Sequence, residues 1–215
     1  MPVLHLSKKA AAHMRKNLNF GDEEEEIVVY GFEMLFNFFF TLALICLTAW
    51  LLGCLPTALT ATLVVLLLRS FSGGAHSSAS INCAFISAAV AALTGKASII
   101  CGSQMPAIAN IIFILAVLLI SLRIMWVLAP VDSPAKPITS ESRRRQLRGL
   151  SLAAVALISI VQLALLKLNY SLFARYSLAA GLGVAWQSFT LTPMGHKFIS
   201  IFDHIYNKLQ GGEKK

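Results

Sequence analysis

The sequence predicts an all-α, polytopic integral membrane protein of about six transmembrane helices, with amphipathic interfacial helices at both ends. Three observations carry this expectation. First, 57% of the 215 residues are hydrophobic, only 13% are charged, and the mean hydropathy is +0.72. A soluble domain of this size carries about 25% charged and about 45–50% apolar residues. Second, long apolar runs recur along nearly the whole chain. Third, Lys and Arg gather between and beside those runs. This composition excludes a disordered chain, a nucleic-acid-binding domain and an ordinary cytosolic enzyme. The formal charge of +8 points to membrane lipid as partner rather than nucleic acid, because cations collect on the cytoplasmic side and meet anionic lipid there.

The chain reads as one membrane domain, 1–215. In residues 1–20, Leu6, Ala10, Met14 and Leu18 recur every four residues with most cations off that stripe, which predicts a helix lying on the membrane surface. Gly21 and Asp22 interrupt it, and four spans follow within 27–128. The first run is Ile27 to about Leu52. Asp22 is expected to cap it, and Glu23–Glu26 to complement its positive dipole end. Four consecutive acids point four ways around a helix, so no metal site is predicted there. The second run, Leu55–Leu68, begins at Pro56 and is short against the roughly 20 residues of a full crossing, so it is tilted or re-entrant. A polar loop, Ser70–Ser78, follows. The third run is Ala79–Leu93, with an extension to Ile100 left open, and the fourth is Ala107–Leu128. Residues 129–148 read as a basic cytoplasmic loop in which Pro130, Pro134 and Pro137 block helix. A helical hairpin, 149–192, carries spans at Leu150–Leu166 and Tyr176–Leu191. Pro193 opens an amphipathic tail, 193–215, with Phe198, Phe202, Ile205 and Leu209 on one face.

Charge counting sets the expected topology. If the N-terminal segment, the Arg69 end of the second run, Arg123, the basic loop and the tail are all cytoplasmic, that side holds 15 of the 18 Lys and Arg. Only Lys96, Lys167 and Arg175 remain outside. Six spans with both termini inside satisfy this count, and so do four spans with 55–100 re-entrant. No signal peptide is expected, since the first 20 residues contain six Lys, Arg and His residues and no continuous apolar core.

One stretch carries chemistry: Arg69-Ser-Phe-Ser-Gly-Gly-Ala-His76-Ser-Ser-Ala-Ser-Ile-Asn-Cys83. A cysteine nucleophile needs a base to form thiolate, and histidine is the usual one. Glycines let backbone approach a reacting carbonyl, and a helix N-terminus offers unpaired N–H groups for its oxyanion. In one regular helix His76 and Cys83 would be separated by a rise of about 10 Å, against about 3 Å for a hydrogen bond. A working pair therefore requires a bend. Ser77, Ser78 and Ser80 predict a helix start near 77–80, which puts Cys83 in or just past the first turn. No acid lies nearby in sequence to orient His76, and Asn82 points about 100° away from Cys83 on a helix. The bland reading is a packing cysteine and a solvated histidine. Cys46, Cys54 and Cys101 have no CxxC or zinc-finger spacing and read as packing residues, and His196 and His204 as surface residues.

The stretch R-S-F-S-G-G-A-H-x6-C resembles the signature of the accessory gene regulator B (AgrB) family of bacterial membrane cysteine endopeptidases that mature quorum-sensing propeptides. Ala129-Pro-Val-Asp-Ser-Pro-Ala-Lys-Pro-Ile138 with the Arg143–Arg145 cluster, and Gln187-Ser-Phe-Thr-Leu-Thr-Pro-Met-Gly195, are similar to further family segments. The resemblance implies that Cys83 is the nucleophile and His76 the general base, with Arg69, Gly73 and Gly74 supporting them. It implies an AgrD-like propeptide substrate, no cofactor, a homodimer, and a bacterial cell membrane with the site at the cytoplasmic face. Cleavage would leave an acyl-enzyme thioester that an internal thiol or hydroxyl closes to a (thio)lactone. Two lesser expectations concern substrate contacts. Glu33 and Asn37, one turn apart inside the first span, either grip the peptide or pair with Arg123 or Arg69. Arg143, Arg144 and Arg145 either attract an acidic tail or simply set topology. The alternatives are a non-enzymatic transporter of a small peptide or lipid, for which no inverted repeat is visible, and a structural subunit of a membrane complex.

Overall fold

The computed structural model describes residues 21–75, 77, 79–132 and 138–211, and within them the chain is all helical. Seven helices follow one another: α1 (Asp22–Leu51), α2 (Leu55–Ser72), α3 (Ser80–Gly102), α4 (Ala107–Leu128), α5 (Glu141–Leu168), α6 (Tyr170–Leu191) and α7 (Pro193–Gly211). The first five are long and apolar enough to cross a membrane, and the protein is a multi-pass membrane protein. The interfacial helix expected for 1–20 lies outside the described residues.

Helix ends depart from the apolar runs for identifiable reasons. Gly21, not Asp22, caps α1, and Glu24 reaches back to accept from the Gly21 N–H at 3.0 Å. Ser70 and Ser72, expected in a loop, belong to α2. Their hydroxyls donate to the carbonyls of Leu67 at 2.7 Å and Leu68 at 2.9 Å, so the helix itself satisfies them. Gly73, at φ 65°, then stops the helix. The third span takes the longer option and runs to Gly102. The segment 129–148 is not all loop. Beyond Pro137 nothing forbids helix, and Ser140 and Glu141 start α5, so Arg143, Arg144, Arg145 and Arg148 ride on its first turns. Asn169 divides the hairpin, and its side chain accepts from the Leu172 N–H at 3.1 Å to cap α6. Thr192 caps α7 by accepting from the Gly195 N–H at 3.1 Å.

Helix α6 is the spindle of the bundle, packed against α2, α3, α4, α5 and α7. Ala179, Ala180, Gly181 and Gly183 are buried along it, and a Cβ at Gly183 would fall 2.9 Å from the Ala61 carbonyl oxygen of α2. Membrane helices associate through such small-residue contacts because lipid gives no hydrophobic drive. Polar side chains join the helices as well. Ser188 donates to Ser121 at 2.8 Å, Gln162 to the Ser177 carbonyl at 2.8 Å, and Thr57 to the Gly95 carbonyl at 2.9 Å. The main apolar core gathers Leu68, Met125, Val155, Val184 and Leu191. Large apolar side chains such as Leu93, Leu119 and Ile160 face outward, as a lipid-bathed surface requires.

Cationic residues sort to opposite ends. The C-terminal ends of α2, α4 and α6 and the N-terminal end of α5 meet at one end, where Val131 bonds Ser72 and Ala75 bonds Thr190. Lys96 donates to the Leu52 carbonyl at 3.0 Å and Arg175 abuts Gly102, both at the other end.

Candidate functional site

The segment Gly73–Ala75, which follows α2, is held from three sides. Val131, just past α4, donates its N–H to the Ser72 carbonyl at 2.9 Å. Gln187 of α6 donates through Nε2 to Ser72 Oγ at 2.9 Å and to the Gly73 carbonyl at 2.7 Å. The Ala75 N–H donates to the Thr190 carbonyl at 3.0 Å, while Arg69 Nη2 donates to the Ala75 carbonyl at 2.6 Å. Both glycines are required by this crowding. Gly73 (φ 65°) leaves no room for a Cβ, which would lie 2.2 Å from the Val131 oxygen, and at Gly74 (φ 139°) a Cβ would lie 2.9 Å from Thr190 Oγ1.

Helix α3 begins directly after this loop. Its N-cap position is Ala79, which forms no side-chain cap, and Ser77, one of the serines expected to cap it, bonds elsewhere. Ser77 Oγ accepts from the Ala79 N–H at 3.3 Å and donates to the Ala79 carbonyl at 3.0 Å or to the Asp203 carboxylate. Cys83 is the fourth residue of α3, as the sequence predicts, and its N–H donates to the Ala79 carbonyl at 3.2 Å. The thiol is half-buried in a cleft of about 30 Å³ that Arg69, Ala75, Ser77, Trp186, Thr190 and Ile199 also line. His76 lies outside the described residues, although both its neighbours, Ala75 and Ser77, line the cleft.

The predicted site residues therefore divide into two groups. Arg69 and Cys83 line one cleft, and Gly73 and Gly74 form the loop whose Ala75 lines it too. Glu33 and Asn37 on α1, both half-buried, are not among the cleft residues, and among the described residues Glu33 forms no ion pair with Arg123 or Arg69. The arginines of α5 likewise stay away from the cleft. Arg144 pairs with Asp132 at 2.6 Å, Arg145 with Glu141 at 2.9 Å, and Arg148 donates to the Ala129 carbonyl at 2.8 Å. Arg143 is exposed. Arg144 and Arg148 thereby tie 129–132 down, and that segment in turn braces Gly73.

Sequence reasoning missed Gln187, Thr190 and Asp203. Asp203 belongs to α7, where its carboxylate accepts from Ser77 Oγ and, at 3.2 Å, from Asn82 Nδ2. A signal existed. Gly195 and Ile199 are buried and Asp203 is half-buried, each four residues from the next, so an acid stands on the inward stripe of an amphipathic helix. The expected face of Phe198, Phe202 and Ile205 is more exposed, though Phe198 packs on Trp186 and Phe189.

Comparison with known proteins bears out the family resemblance. Residues 7–191 match the family described as Accessory gene regulator B. An AgrB-like protein of Clostridium perfringens strain SM101 is 28% identical over 96% of this chain and 99% of its own length. An AgrB-like protein 2 of Clostridium perfringens strain 13 is 27% identical over the same shares. No solved structure matches.

Proposed function

The chain belongs to the accessory gene regulator B family, and from that premise we propose that it is a membrane cysteine endopeptidase that matures a quorum-sensing propeptide. The observation that carries this reading is the cleft where the Arg69-clamped loop meets Cys83 on the first turns of α3. His76 takes the Cys83 proton, and the thiolate attacks the carbonyl of a peptide bond near the propeptide's C-terminus. N–H groups of the first turn of α3 and the Arg69 cation are suited to the oxyanion of the tetrahedral intermediate. Collapse breaks the C–N bond, and His76 returns its proton to the leaving amine. The C-terminal tail departs, and the rest of the propeptide stays on Cys83 as a thioester. An internal thiol or hydroxyl then attacks that carbonyl, gives up its proton, and closes the (thio)lactone as the Cys83 thiol is regenerated. Thioester exchange is close to even in energy, so water must be kept out. Ile86, Trp186 and Ile199 supply apolar walls for that purpose.

The grouping of cations supports an orientation with both termini and the site at the cytoplasmic face. Six crossings, with α6 as the sixth, keep both ends on that side.

The test is mass spectrometry of a co-expressed propeptide with wild type, Cys83→Ala and His76→Ala at matched membrane levels. The expected result is loss of tail release in both variants and a thioester adduct trapped on wild-type Cys83. Unchanged processing by Cys83→Ala would end the cysteine-peptidase reading.

A further inference from the structure

We propose that Asp203 of α7 is the positioning carboxylate of the site: through Ser77 and Asn82 it ties the segment bearing the base and the helix turn bearing the nucleophile to one point. The inference rests on the peptidase reading for its meaning but on separate observations for its geometry. Ser77 follows His76 in the chain, and Asn82 precedes Cys83. Both donate to the same oxygen, Asp203 Oδ1. One acceptor thus bridges the residue that follows His76 in the chain and the residue that precedes Cys83.

The bridge is built rather than incidental. Asn82 is buried and Asp203 half-buried, so breaking their contact leaves a polar group with little access to water. Asp203 is also delivered by a firmly seated helix. Thr192 caps α7, Ile199 is buried one turn before Asp203, and Phe198 stacks edge-on against Trp186, itself a wall of the cleft. A carboxylate beside the first turn of α3 further complements the positive end of that helix. The C-terminal amphipathic helix is accordingly part of the catalytic apparatus and not only a membrane-surface tail.

A displacement of about 1 Å between reacting groups costs on the order of 100-fold in rate. Purified full-length protein in detergent, with a synthetic propeptide, should therefore show kcat for tail release reduced about 100-fold by Asp203→Ala, with KM within about twofold. Asp203→Asn retains an oxygen that accepts both hydrogen bonds and should recover at least about tenfold of that loss. The alkylation rate of Cys83 by iodoacetamide, read by peptide mass spectrometry, supplies a second readout that needs no propeptide. It should change in Asp203→Ala and return toward wild type in Asp203→Asn. Wild-type kcat and alkylation in Asp203→Ala, or an Asp203→Asn as impaired as Asp203→Ala, would overturn the proposal. A loss of peptidase reading shows up differently, as processing that survives Cys83→Ala, and the alkylation series then decides on Asp203 alone.

Discussion

Replacing Gly73 by alanine tests whether the loop before the nucleophile is a rigid support. The residue sits at φ 65° and ψ −145°, a region open essentially to glycine alone. Forcing an L-residue there costs about 1–3 kcal/mol. The new Cβ would also lie 2.2 Å from the Val131 oxygen, which is backbone and has nowhere to swing. Overpacking of this kind costs about 1–3 kcal/mol more. The sum, about 2–6 kcal/mol, is a large part of the roughly 5–15 kcal/mol that holds a typical domain folded. The loop can relieve it by moving off Val131, which breaks the Val131–Ser72 bond and shifts Ala75, whose carbonyl Arg69 holds. Either response is measurable. Tail release by purified protein should fall about 100-fold or more, and the midpoint of thermal unfolding in detergent should drop. Gly149→Ala is the matched control, because its Cβ meets nothing within 4 Å and alanine favours helix by about 1 kcal/mol. Wild-type release and midpoint in Gly73→Ala would refute the reasoning, since they would mean that neither the φ angle nor the contact with Val131 constrains the loop.

Three further outcomes follow from the same geometry. Gln187→Leu removes the shorter of two hydrogen bonds to the Gly73 carbonyl, leaving that from Ser72 Oγ at 3.4 Å, but also removes the Gln187 Oε1, which is buried without a hydrogen-bond partner among the described residues, so stability should change by no more than about 1–3 kcal/mol while tail release falls by more than that change explains; equal release by variant and wild type would show that Gln187 does not set the loop. Arg148→Ala releases the Ala129 carbonyl and should lower the unfolding midpoint and tail release together, whereas exposed Arg143→Ala should leave both unchanged, within about 0.5 kcal/mol, and an inverse ranking would restore a direct substrate role to the cluster. Exposed Cys101, at the end of the bundle away from the site, should react in whole cells with a membrane-impermeant maleimide while Cys83 is spared; labelling of Cys83 alone would reverse the orientation.

Much of the architecture was legible because lipid imposes a strong pattern. The apolar runs located the helices, the glycine pair located the loop, and the serines of 77–80 located the start of α3. What escaped reading was non-local. The prolines of 129–148 announced a loop, but they stop at Pro137, and the arginines beyond them favour helix as readily as solvent. Asp203 lies more than 100 residues from Cys83 in sequence, so no spacing rule links them. Only its place on the inward stripe with Gly195 and Ile199 marked it, and the aromatic stripe beside it was the louder signal.

Helix α6 explains why hydropathy and burial part company here. It is long enough to cross a bilayer, yet it is not among the apolar candidates for doing so. Hydropathy reads what a helix shows to lipid, and α6 shows little, because five other helices cover it. That cover permits Gln187, Ser188 and Thr190 to lie buried, where backbone carbonyls and other helices partner them. Two of those residues, Gln187 and Thr190, hold the loop that precedes the nucleophile. The central helix of the bundle and the support of the site are thus one element. A substitution that widens α6, such as one at Gly183 against Ala61, should be transmitted to Gly73 and Ala75 through contacts already in place, without touching the cleft.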